Sequence, residues 1–183
     1  MQSLVEIPAA KPKARSRKQP AGAALPPAGA ALPEEQAPQL ATLVSEPPTG
    51  PGWISEIKFD GYRMLCRKQG DAVRLITRNG LDWTDRVPQL AKAIAALPAE
   101  TAMLDGELVA LDKDGRSSFA ALQDALAGSR TRSLSFYAFD LLHRDGTDLR
   151  PSPLRERKQA LGDLLHTASD LSLIHISEPT RPY

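Results

Sequence analysis

The chain has 183 residues, a formal net charge of +1 and an apolar share of 42%, enough for one domain of ordinary size with a packed core. The near-neutral charge neither requires nor excludes a nucleic-acid partner, and neither a membrane-length apolar run nor a signal-peptide core is present. The single cysteine, Cys66, precludes an intrachain disulfide, and His143, His166 and His175 show no metal-ligand spacing, so a soluble, cytoplasmic, non-exported chain is expected.

Residues 1–52 are rich in Ala and Pro, with few aliphatic residues at regular spacing, and cannot bury enough surface to offset the entropy of ordering them. A disordered linker is predicted there. Its basic cluster, Lys11, Lys13, Arg15, Arg17 and Lys18, reads first as a solvated stretch, with phosphate contact as the alternative. Residues 53–170 form the predicted folded unit. Strands are expected over Tyr62 to Lys68 and Ala72 to Arg78, joined by the hairpin connection Gln69-Gly70-Asp71, before Asn79-Gly80 turns the chain. Thr84 is expected to cap a helix carrying Val87, Leu90, Ala91, Ile94 and Leu97, with Pro88 in its first turn and its end before Pro98. A strand from Ala102 to Leu111 follows, then a short helix capped by Ser117 or Ser118 and carrying Phe119, Leu122 and Leu126. Ser135 to Leu142 reads as a further strand, and Pro153 opens a helix with Leu154, Leu161, Leu164 and Leu165 on one side. Strands in hairpins interrupted by helices predict an α+β domain with a largely antiparallel sheet. Residues 171–183 break the pattern, resemble a translated sequencing-adapter peptide, and are expected to be non-native.

The chemistry concentrates in Glu56-Ile57-Lys58-Phe59-Asp60-Gly61-Tyr62-Arg63. A lysine attacks phosphorus only as the neutral amine, a rare form at pH 7 for a free side chain with a pKa of about 10.4. Desolvation, a guanidinium such as Arg63 and a divalent cation favour that form, whereas a carboxylate such as Asp60 acts against it. In Asp105-Gly106-Glu107, strand alternation places both carboxylates on one face, with Gly106 leaving room for close approach, so that face can meet a sugar or a metal. Phe136, Tyr137 and Phe139 share a strand and read as core first, or as a wall on which a purine stacks. Arg78 stands where a strand enters a turn, either solvated or reaching a phosphate.

Together these strings resemble the covalent nucleotidyltransferases, and most closely the ligase module of bacterial end-joining ATP-dependent DNA ligases. The resemblance also uses Pro38 to Val44, Thr77 to Gly80, Trp83 to Arg86, Leu104 to Val109 and Phe136 to Leu142, and covers about residues 38–165. It implies a nucleotidyltransferase (ATP-grasp-like) adenylylation domain in which Lys58 attacks the α-phosphate of ATP and becomes lysyl-AMP. By the same resemblance Asp60 acts in the later nick-sealing chemistry, Glu56 helps to read adenine, and Arg63 and Arg78 hold phosphates. Glu107 would bind ribose or help place magnesium, for which manganese can substitute, and Phe139 would stack on adenine. The implied partner is nicked or broken double-stranded DNA, with a bacterial end-binding protein reached through the longer enzyme; a monomer in the bacterial cytoplasm, associated with the nucleoid, is expected.

The family also supplies a Glu-Gly-x-x-x-Lys motif, a later pair of lysines and a C-terminal OB domain that this chain lacks. An incomplete, N-terminal part of the domain is therefore expected, with weak or absent self-labelling. An RNA ligase or capping guanylyltransferase would use the same lysine, and a DNA-binding remnant would never charge it.

Overall fold

The structure is a computed structural model that describes residues 29–50, 53–128, 130–166 and 173–175. Most of the expected linker and of the expected non-native tail lies outside the described residues. The strands are β1 (Tyr62–Gln69), β2 (Ala72–Thr77), β3 (Thr101–Ala110), β4 (Leu134–Arg144), β5 (Thr147–Asp148) and β6 (Leu173–His175), and the helices are α1 (Pro88–Ala95), α2 (Phe119–Ala127) and α3 (Leu154–Leu165). β2, β1, β3, β4 and β5 lie side by side in that order, all antiparallel, while β6 pairs in parallel with β4 over Phe136–Ala138.

Alternation along the strands divides the sheet into two faces. Met64, Cys66, Leu104, Leu108, Phe136 and Ala138 are buried in one core with Leu90 and Ile94 of α1, Leu122 of α2, and Leu161 and Leu164 of α3. The helices therefore cover one face, and Arg63, Asp105, Glu107 and Tyr137, which alternate with the core residues, belong to the other. Burial drives the Cys66 thiol pKa well up, as befits a packing residue. Lys68, on the helix side, is buried but satisfied: its ammonium donates to Gly70 O at 2.6 Å and Ala95 O at 2.7 Å, a cation at the negative end of α1.

Two local outcomes, at Thr84 and Gly106, differ from expectation, and a third settles an alternative. Thr84 does not cap α1; its hydroxyl accepts the Leu75 N–H at 3.0 Å, a single 3-10 turn occupies Thr84–Arg86, and α1 begins at Pro88 with no side-chain cap. Ser118, not Ser117, caps α2, accepting the Ala121 N–H. Gly106 serves packing rather than ligand approach, since a Cβ there would lie 2.3 Å from Phe136 Cζ and 2.6 Å from Tyr137 O.

Within the span expected to be linker, residues 29–36 hold to the domain. Gly29 and Ala30 each donate an N–H to Gly146 O at 2.7 Å, and Ala30 O lies 3.0 Å from Nε2 of the buried His143. Arg67 Nε donates to Pro33 O at 3.0 Å and Arg150 Nη1 to Gln36 Oε1 at 2.7 Å. No described helix is long and apolar enough to cross a membrane.

Candidate active site

The segment before β1 has no regular secondary structure, so contacts with other elements must hold Lys58 in place. Phe59 stacks on Tyr137 of β4 with ring centroids 4.2 Å apart and planes at 17°. The Asp60 N–H donates to Ser117 Oγ at 3.0 Å. Gly61 lies so close to β3 that a Cβ would sit 2.2 Å from Leu108 O and 2.9 Å from Val109 Cγ1. These three residues press the segment onto the face that the helices leave open.

An open cleft of about 490 Å³ results, and Glu56, Lys58, Asp60, Arg63, Arg78, Glu107 and Phe139 all line it. The seven residues to which the resemblance assigned roles are thus gathered on one surface, joined there by Gln39, Leu40 and Ala41, while Asp105, Phe136 and Tyr137 do not line it. Lys58, Asp60 and Arg78 are exposed, and the others are partly buried. The Arg78 N–H donates to Arg63 O at 3.1 Å, tying the β2 turn to the start of β1.

Arg63 is committed before any ligand arrives. Its Nε and Nη2 donate to the two carboxylate oxygens of buried Asp105 at 2.9 and 2.7 Å, and its guanidinium carbon lies over the Phe139 ring, 5.0 Å from the centroid. Burial lowers the Arg63 pKa, but hydrogen bonding and attraction to Asp105, with Glu107 and Asp140 beyond, leave it raised. Asp105 faces Asp140 across the strands, and Asp140 has its own fork, from Arg157 Nε and Nη2 at 2.8 Å each. Two neighbouring carboxylates are thus neutralised separately.

Glu107 has no such fork. Burial drives its carboxyl up to about 7; Arg63 and Lys58 pull it down, while Asp105 and Asp60 push it up. A carboxyl whose pKa rises on folding favours the protonated form, so the stability it contributes is complete below about pH 4.5 and is lost as pH climbs through about 7. Glu107→Gln is therefore expected to be more stable than the parent at pH 8 by about 1–2 kcal/mol, solvent screening being allowed for, with the gap closing near pH 4. Urea unfolding across that range measures it; a gap independent of pH would contradict the assignment.

Sequence reasoning passed over Arg157 and Lys158 of α3. The Lys158 ammonium forms an ion pair with Glu56 Oε1 and donates to Phe139 O at 2.8 Å. The only hint was a pair of basic residues in the first turns of a helix, where charge ordinarily faces solvent.

The model of the ATP-dependent DNA ligase domain matches residues 38–180. The chain belongs to this family. Over 129 residues the ligase-family chain is 49% identical to the multifunctional non-homologous end joining protein LigD of Pseudomonas aeruginosa, a match covering 70% of this chain and 15% of that protein. It is 38% identical over 135 residues to DNA ligase B of Mycobacterium tuberculosis, covering 69% and 27%. Among solved structures, the ligase domain of M. tuberculosis LigD is similar with a TM-score of 0.53 at 39% identity, and a mycobacterial DNA ligase D complexed with ATP and MES with 0.51 at 37%; each match covers 63% of this chain and 37% of the other. The chain thus spans 15% to 37% of the length of these relatives.

Proposed function

We propose that this chain carries the nucleotide-charging part of an ATP-dependent DNA ligase. The observation that carries the reading is the single cleft in which Lys58 meets Arg63, Arg78, Glu107 and Phe139. Lys58 Nζ, after losing a proton, forms a bond to the α-phosphorus of ATP as the bond to pyrophosphate breaks, leaving a lysyl-AMP phosphoramidate. Phe139 and Glu56 receive the adenine, Glu107 the ribose, and Arg78 with the remaining donors of Arg63 the phosphates. In the whole enzyme AMP then passes to a DNA 5′-phosphate, where a 3′-hydroxyl displaces it and seals the strand; exposed Asp60, at the cleft rim, acts in these steps.

A magnesium ion fits this donor set. Among the described residues no three His, Cys, Asp or Glu side chains gather to cage a metal. Magnesium instead takes one or two carboxylates and fills its shell with water and phosphate oxygens. Glu107, which lines the cleft, would hold it as the alternative to receiving the ribose, and its carboxyl must then give up its proton. When bound, the ion offsets phosphate charge.

The test is self-labelling with magnesium and α-labelled ATP or GTP, for the chain and for Lys58→Ala. Acid-labile, base-tolerant label from ATP is expected, weak in amount, and none in Lys58→Ala. Label from GTP instead would move the chain to the capping enzymes, and a folded chain taking neither would overturn the charging role.

A further inference from the structure

Two consecutive residues of α3 reach into the cleft architecture. Arg157 grips Asp140 with both arms and donates through Nη1 to Ser152 O at 2.7 Å, which anchors the helix beside β4. Lys158 spans a wider gap, from the Phe139 carbonyl of β4 to the Glu56 carboxylate two residues before the nucleophile. The pair is well shielded, with side chains 11% and 26% exposed, so it is screened less than a surface bridge. Without the ammonium, Phe139 O and Glu56 Oε1 would be two acceptors sharing no donor.

The geometry has a chemical consequence if a purine enters. The ion pair engages Oε1, which leaves Glu56 one defined way to present its second oxygen to the cleft it lines. Adenine offers an amino donor at position 6 and guanine an oxygen acceptor there. A carboxylate held edge-on accepts from the first and repels the second; one free to rotate discriminates less. We infer that Lys158 is a positioning residue that fixes Glu56 against the purine edge and so sets the preference of the cleft for adenine over guanine. This inference rests on the nucleotide-binding reading above. A lysine that only anchored α3 to Phe139 O would affect both purines alike.

The experiment measures the affinities of ATP and GTP, with magnesium, by competition against a fluorescent ATP analogue. It uses the full chain, Lys158→Met, Lys158→Arg, Glu56→Gln and the Lys158→Met/Glu56→Gln double variant, each checked by a circular-dichroism melt. Lys158→Met is expected to lower the ATP-to-GTP affinity ratio roughly tenfold, mainly through ATP, as loss of orientation at a binding group does. Lys158→Arg should retain most of the ratio, and in the Glu56→Gln background Lys158→Met should change it no further. Because Lys158→Arg and Glu56→Gln keep a donor or leave α3 anchored, the outcome does not hang on the stability of the methionine variant. An unchanged ratio, or independent losses that add in the double variant, overturns the positioning role while sparing the nucleotide reading. A wild-type chain that binds neither nucleotide overturns both.

Discussion

Replacing Arg63 by methionine is expected to lower unfolding free energy by about 3–5 kcal/mol at pH 7.5, the cost of leaving one member of a buried ion pair uncompensated. Asp105 is 3% exposed and takes both of its strong hydrogen bonds from Arg63. Its neighbour across the strands is another carboxylate, Asp140, whose charge Arg157 already answers, so no spare cation stands ready. Burial already raises the Asp105 pKa against the pull of Arg63. In the variant it must rise further, so the folded state takes up a proton more readily than the unfolded one, and the loss should shrink as pH falls towards 4. Urea unfolding at pH 7.5 and 5 measures both effects. Adding Asp105→Asn should recover most of the loss, since an amide carries no charge to neutralise. A loss below about 1 kcal/mol would show that water reaches Asp105.

The second large effect is expected at Gly61. An alanine Cβ there would fall 2.2 Å from the carbonyl oxygen of Leu108, a backbone atom of a strand paired on both sides, with Tyr62 and Phe136, that cannot swing aside. Relief requires the Lys58 segment to lift off β3, which separates Lys58 from Glu107. Gly61→Ala should therefore cost about 2–3 kcal/mol, the upper part of the range for overpacking, and cut ATP-dependent labelling at least about 100-fold, as a misplacement near 1 Å does. Wild-type labelling in this variant would mean that the segment is not held by its contact with β3. The glycine after Asp60 thus has a steric cause, independent of any ligand.

Much of the fold was legible because local chemistry and the final structure agree. Gln69-Gly70-Asp71 joins two alternating runs, and β1 and β2 pair across it from Gln69↔Ala72 to Met64↔Thr77. Leu90 and Ile94 recur at helical spacing and are buried. Thr84 was misread because a hydroxyl before a helical pattern looks like a cap, while its bond to Leu75 depends on how β2 curls back. The residues that line the cleft were also legible, since they cluster in short strings. What holds them was not. Arg63 suggested a phosphate ligand, yet its fork is taken first by Asp105, far along the chain, and Lys158 showed nothing of its partner Glu56. Pairings over such separations leave no periodic trace in sequence.

The ion pair between Lys158 and Glu56 also sets an order in time. Lys58, Asp60 and Gly61 emerge from the ribosome early, but the helix that fixes Glu56 is made only after β1 to β5. Until α3 emerges, the growing chain holds Lys58 beside a Glu56 carboxylate that has not yet met its Lys158 partner. Contacts closing so long a loop form late in folding as well. The cleft is thus among the last features to be completed during synthesis, and a nascent chain halted before residue 158 carries Lys58 without the ammonium that pairs with Glu56.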